Sequence, residues 1–340
     1  MSLLKLELPA PATGRLPALD ELKGLAIILV ILYHAGGVLA WNNTLHGDLG
    51  VDIFVILSGI GLALGSVYPG TRLFLIRRFL RIFPTYWIVL TAFWLLNAHF
   101  LGQDLTTKNL VLHYLGIHGW CGDGYAMAIN DSFWFITLIL SLYLLYSALQ
   151  KLMPSPGRLL LAGAAISLTI TLILFYQGQS GSFSHMALRL PGFFVGLLIG
   201  RLLKTGRLDL VLTAPLALAL FLLTYVPYTQ GVMFHSVLVG LALMATYLFA
   251  WKTLVPAALE KPVARGLKFL GDRSLTIFLI HQPLIRHYNY YVQRRWFDTP
   301  APSPNSVIVG MVIALAVTIL ISVELDALLQ KIPGLNRRAA

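Results

Sequence analysis

Hydrophobic positions along the chain gather into long runs broken by short polar intervals. A helix needs about 20 apolar residues to cross ~30 Å of hydrocarbon. Ten such runs lie near 22–41, 48–66, 82–101, 132–152, 159–176, 186–203, 209–228, 233–255, 274–292 and 305–329. The pattern predicts an all-α integral membrane protein, a bundle of about ten transmembrane helices. The sixth run, "MALRLPGFFVGLLIGRLL", and the ninth, "SLTIFLIHQPLIRHYNYYV", fit least well, because each contains proline and charge. An even number of crossings puts both termini on one side.

The polar intervals set the organisation. Residues 1–21 are expected as a cytoplasmic N-terminal segment, 22–331 as one transmembrane domain with a basic cytoplasmic loop at about 67–81, and 332–340 as a cytoplasmic tail. The N-terminus has no short apolar core followed by a small-residue cleavage site, so the first run is expected to stay as a helix. The longest interval, 102–131, holds "HYLGIHGWCGDGYAMAIND", room for a short interfacial helix but not for an independent core. No internal repeat is evident.

Composition agrees: 57% of the 340 residues are hydrophobic and 11% charged, against about 25% charged in a soluble domain. Mean hydropathy is +0.77. The net charge of +11 would ordinarily raise nucleic-acid binding, but the cations form short clusters between apolar runs. With a cytoplasmic N-terminus, 20 of the 25 Lys and Arg fall on the inner side, which predicts an N-in, C-in arrangement and no nucleic-acid partner. The single cysteine, Cys121, excludes an intramolecular disulfide and any CxxC pair.

Ionisable groups inside membrane helices cost about 2.5–3.5 kcal/mol each on insertion scales, so each is a functional candidate. Lys23 and His34 are 11 residues apart, about three turns and roughly 16 Å of rise, on one face of the first helix. Ser58 is ten residues past Asp48, about 15 Å into the second helix, and is expected at a depth similar to that of His34. Asp52 lies nearer the outer surface, where it orients a histidine, binds a polar acceptor, or is simply favoured by the positive end of its helix. Arg78 and Arg81, in "TRLFLIRRFLRIFPTYW", are spaced to put two guanidinium forks on one helical face, suited to phosphate; positive-inside bias accounts for them equally well. His281 is expected about 10 Å into the ninth helix from Ser274, close to Pro283, which frees a backbone carbonyl to line a cavity. Arg189 is placed to bind an acidic acceptor or to snorkel, Trp134 to sit in an interfacial belt, and Glu324 and Asp326 to pair with cytoplasmic arginines.

The segments "LDELKGLAIILVILYH", "GVDIFVILSG", "FLIRRFLRIFPTYW", "SFWFITLI" and "TIFLIHQPL", in that order, resemble the acyltransferase-3 family of integral membrane acyltransferases over positions 19 to about 285. The resemblance implies transfer of an acyl group, usually acetyl from cytoplasmic acetyl-CoA, to a hydroxyl of a glycan or other acceptor, often at the outer face of a bacterial cytoplasmic membrane. The family pattern of a cation, ten residues and a histidine maps onto Lys23 and His34, and its arginine pair onto Arg78 and Arg81. Two departures stand out. Lys23 replaces the usual arginine and so lacks a bidentate fork, and "SGIGLA" lacks the aromatic common in relatives. The extracytoplasmic hydrolase-like domain that many relatives carry is not expected here.

On this reading His34, Asp52 and Ser58 are the expected catalytic groups, with His34 as general base toward the acceptor hydroxyl or as a covalent acyl carrier. Lys23, Arg78, Arg81 and His281 are expected to hold the acyl-CoA, and Tyr33, Trp134 and Arg189 the acceptor; no metal is called for. The reading from another class is a transporter or export component with His34, Asp52 and His281 along an intramembrane path.

Overall fold

The computed structural model describes residues 16–38, 49–65, 68–100, 106–150, 155–177, 182–206, 235–248, 255–287 and 304–332. All regular structure among them is helical. The principal helices are α1 (Pro17–Val38), α2 (Leu49–Leu64), α3 (Thr71–Phe100), α4 (Thr107–Leu115), α5 (Asp123–Ala126), α6 (Trp134–Leu149), α7 (Pro156–Gln177), α8 (Ser182–Ala187), α9 (Leu190–Lys204), α10 (His235–Thr246), α11 (Ala257–Asp272), α12 (Ser274–His287) and α13 (Pro304–Gln330). The expected run at 209–228 and most of the terminal segments lie outside the described residues.

Nine of the ten apolar runs coincide wholly or in part with a helix. Among the described residues, Thr71–His99, His185–Lys204 and Val307–Gln330 are long and apolar enough to cross a membrane. Leu49–Leu64, Trp134–Leu149 and Ser274–Ile285 are apolar but shorter. This is a helical membrane protein with three crossings evident by length and composition.

Two elements differ from the expected pattern. The basic stretch before residue 82 is the first part of α3 rather than a separate loop; "TRLFLIRRFLR" has no helix breaker, and Phe74 turns into the core while Arg72, Arg77 and Arg81 stay exposed. Helix α11 occupies an interval read only as polar. Its residues have a strong helical period but low average hydropathy, so a search for apolar runs passes over it.

Glycines bring the helices into backbone contact. A methyl at Gly59 would overlap the Phe193 carbonyl, and one at Gly196 the Ile56 carbonyl, so α2 and α9 touch main chain to main chain. Methyls at Gly24 and Gly271 would overlap Leu267 and Asp20, which fixes α11 against the start of α1. Three buried rings pack into an aromatic layer: Phe135 is 4.8 Å from Phe278 and 6.1 Å from Phe54, and Phe54 is 6.3 Å from Phe278. The rings come from α6, α12 and α2.

Candidate active site

Two histidines distant in sequence meet in the bundle. His34, near the end of α1, and His281, two turns into α12, have ring centroids 5.1 Å apart with planes at 54°. Tyr33 meets His34 edge-on at 5.3 Å. His281 is fully buried, and its Nδ1 lies 2.8 Å from the Phe278 carbonyl and 3.1 Å from that of Ile277. Carbonyl oxygens only accept, so Nδ1 carries the proton and donates; Nε2 is left with a lone pair, buried and without a partner. His34 is half-buried.

The segment before α6 braces His281. Pro283 has no N–H to give the carbonyl four residues back, that of Leu279. The Asn130 amide donates to that carbonyl at 3.0 Å, while Asn130 Oδ1 accepts from the Ser132 backbone N–H at 2.9 Å. The Ser132 hydroxyl donates to Gln282 Oε1, and Gln282 Nε2 donates to Asp131 at 3.3 Å. None of Asn130, Ser132 and Gln282 was singled out as a site residue; Ser132 and Gln282 lie within the family-like segments "SFWFITLI" and "TIFLIHQPL", and the polar group "NDS" stands immediately ahead of an apolar run.

Ser58 is not at the depth of His34. Gly50 packs on Ala26 and Val30, so with α2 running back along α1, Ser58 lies about 12 Å beyond that contact, on the side away from His34. Its hydroxyl donates to the Phe54 carbonyl of its own helix at 2.8 Å. The expectation of equal depth measured both residues from their helix ends, and the packing contact between the helices sets a different level.

Asp52, Arg189 and Trp134 form a second group at the N-terminal ends of α2, α9 and α6. Asp52 is buried, with the Arg189 Nε 3.7 Å from its Oδ1. The guanidinium sits over the Trp134 ring at 5.2 Å and donates to the His185 carbonyl at 2.6 Å. Arg189 is therefore buried rather than snorkelling, and Trp134 is a cation–π partner as well as a half-buried ring. Asp326 accepts from Thr276 at 2.9 Å.

The expected donor-binding cations are spread out. Lys23 pairs with Asp20 at 3.0 Å. Arg78 turns inward, its guanidinium 5.3 Å from both the Phe74 and the Tyr143 ring centroids, whereas Arg81, one turn on, is exposed. The two arginines thus occupy different environments instead of presenting two forks side by side.

The interval 106–131 folds as a cap. Thr106 closes the start of α4 by accepting from the Asn109 N–H at 3.2 Å, and Gly116, at φ 73°, ends the helix in the left-handed region. Thr137 ties the cap to α6 by donating to the Gly116 carbonyl at 2.8 Å and accepting from the Gly119 N–H at 3.1 Å. His113 and His118 stack within it, both buried, 4.0 Å apart and nearly parallel. Burial lowers His113 from 6.5 to about 4; burial, with His113 alongside, lowers His118 to about 3. Cys121 is exposed on the same cap.

Residues 16–323 match the family model described as an acyltransferase domain. The chain is also 24% identical over 311 residues to the peptidoglycan O-acetyltransferase OatA of Listeria monocytogenes, a match covering 79% of this chain and 49% of that protein. The chain thus spans about half the length of that relative. No solved structure matches.

Proposed function

The chain belongs to the acyltransferase-3 family, and from that membership we propose that it is a membrane O-acetyltransferase. It takes acetyl from acetyl-CoA at the cytoplasmic face and passes it to a hydroxyl of an envelope glycan at the outer face of a bacterial cytoplasmic membrane. The similarity to a peptidoglycan O-acetyltransferase supports a hydroxyl-bearing glycan as acceptor. The bias of cations supports ten crossings with both termini inside.

The observation that carries the reading is the His34–His281 pair, 5.1 Å apart and set deep in apolar helices. Neutral His34 takes the proton of the acceptor hydroxyl as its oxygen attacks the thioester carbonyl. A C–O bond forms, the C–S bond breaks, and the proton held by His34 passes to the departing CoA sulfur. His281, its own proton committed to backbone, packs against His34 and holds its ring in place. This is a different role from the donor-binding one expected for it. Lys23, Arg78 and Arg81 serve the donor, while Tyr33, Trp134, Arg189 and Asp52 border the acceptor. Ser58, with its proton given to Phe54, has a helix-packing role.

The test is O-acyl content of surface glycans, by mass spectrometry, in cells lacking the protein and then supplied with wild type or His34→Ala at matched membrane levels. Wild type is expected to restore an acetyl ester and the variant not to. If neither changes any glycan and the purified protein does not turn over acetyl-CoA, the reading fails.

A further inference from the structure

Helix α11 has three sides with different surroundings. Leu267 and Gly271, one turn apart, are buried against the start of α1, where a methyl on Gly271 would overlap the Asp20 carbonyl and one on Gly24 the Leu267 carbonyl. Leu259, Pro262, Val263 and Gly266, at helical spacings of three and four, form a second side that is exposed, Leu259 at 61% and Val263 at 41%. Lys261, Arg265 and Lys268, spaced by four and three, form the third, on the far side from the apolar one. Lys261 and Arg265 are exposed, while Lys268 bonds Asp272 one turn on. Arg273 ends the helix with its guanidinium 4.1 Å from the Phe269 ring.

Neither water nor hydrocarbon alone suits such a helix. In water the side of Leu259 and Val263 keeps its apolar surface wetted, and in hydrocarbon Lys261 and Arg265 each carry a heavy desolvation cost. Lying flat at the boundary satisfies both. The apolar side enters the acyl chains, and the basic side faces head groups, where an anionic surface draws Lys and Arg. The place of α11 in the chain agrees: it ends at Asp272, the apolar α12 begins two residues later at Ser274, and it touches α1 at Asp20 and Gly24, where the first apolar run starts. An acidic protein docked on the basic side leaves Leu259 and Val263 in water, whereas lipid meets both sides.

We propose that α11 is an interfacial helix that lies along the bilayer surface and binds anionic phospholipid head groups through Lys261 and Arg265, with Leu259, Pro262 and Val263 sunk among the acyl chains. On the N-in arrangement that surface is the inner leaflet. The proposal goes beyond acetyl transfer and does not rest on it, since it needs only a membrane protein. Both histidine-bearing helices are joined to α11, α1 by the Gly24 and Gly271 contacts and α12 through Arg273, so an anchored α11 holds the adjoining ends of both.

Depth is read first. The full-length protein carrying Cys121→Ser and one new cysteine, Val263→Cys or Lys261→Cys, is labelled with bimane in nanodiscs of mixed phosphatidylcholine and phosphatidylglycerol. Brominated acyl chains are expected to quench the label at position 263 and aqueous acrylamide the label at position 261. Acrylamide reaching both equally places α11 in water, and bromine quenching both places it across the bilayer; either result overturns the proposal. Lipid choice is read by native mass spectrometry of the detergent-purified protein titrated with phosphatidylglycerol or phosphatidylcholine. Lys261→Gln/Arg265→Gln is expected to weaken phosphatidylglycerol binding about 20- to 30-fold, at about fivefold per cation, and to leave phosphatidylcholine unchanged. Arg158→Gln/Lys331→Gln removes the same charge from exposed positions in α7 and just after α13, and is expected to change phosphatidylglycerol binding less than about 3-fold. Equal loss in the two double variants, or no loss in the first, overturns the assignment of the lipid to α11.

Discussion

Asn130 supplies the hydrogen bond that Pro283 cannot: its amide donates at 3.0 Å to the Leu279 carbonyl, whose helical donor the proline ring has removed. The bond ties the segment entering α6 to α12 two residues before His281.

Replacing Asn130 with Leu leaves that carbonyl buried and unpaired, a loss of about 1–3 kcal/mol. The Pro283→Ala change restores an N–H to the helix, so the double variant Asn130→Leu/Pro283→Ala is expected to recover most of the lost stability. Thermal unfolding in detergent checks this. A double variant no more stable than Asn130→Leu alone refutes the link.

Loss of His34 is expected to reduce turnover by about 10²–10⁴ if it serves as general base. His281→Ala is expected to lower kcat with little change in the KM for acetyl-CoA. Because the two rings act as a unit, the double variant should be scarcely slower than His34→Ala. Multiplicative losses would show that they act independently.

The Asp52–Arg189 pair is buried at both partners. Arg189→Met removes the cation from a buried carboxylate and is expected to destabilise by about 3–5 kcal/mol. Adding Asp52→Asn removes the negative charge and should return part of that loss, whereas two additive losses would mean that the groups do not interact. Chemical unfolding of the three variants measures it.

How much of this was legible in the chain depends on distance. The helices announced themselves through apolar runs, because a membrane helix must be apolar over its own length. The single-helix relation of Lys23 to His34 follows from 1.5 Å per residue. The partners across helices did not: His34 with His281, Asp52 with Arg189, and Arg78 with Tyr143 are set by which small residues let helices approach. Gly50 and Gly59 show this directly, since their contacts set the level of α2 against α1 and α9, and the level of Ser58 with it. Helix α11 was hidden for the opposite reason, its apolar side being too narrow to raise a local average.

The stacked pair His113 and His118 makes the cap sensitive to acid. In the unfolded chain an imidazole titrates near 6.5, and in the folded cap the two titrate at about 4 and about 3. Above 6.5 neither state is protonated and the cap keeps its full stability. As pH falls from there toward about 4 and then 3, the unfolded cap gains protons that the folded one refuses, and stability declines. Amide protection across 106–131, taken relative to the intrinsic exchange rate at each pH, is expected to fall between pH 6.5 and 4 in wild type and much less in His118→Gln. Equal protection at pH 7 and pH 4 in wild type would contradict this.

The layer of Phe54, Phe135 and Phe278 has an electrical consequence. Phe278 lies one turn nearer than His281 to the end of α12 that abuts α11, so these rings separate the histidine pair from that end. On the proposed function, a bundle that admits a charged donor from one face and a sugar from the other risks becoming a conductor. Three phenyl rings from three helices offer a permeating ion no oxygen in exchange for its hydration shell, and narrow apolar passages expel water. On that reading, such a layer is expected to act as an insulator, letting a slim acyl-bearing arm pass while the voltage across the membrane is held.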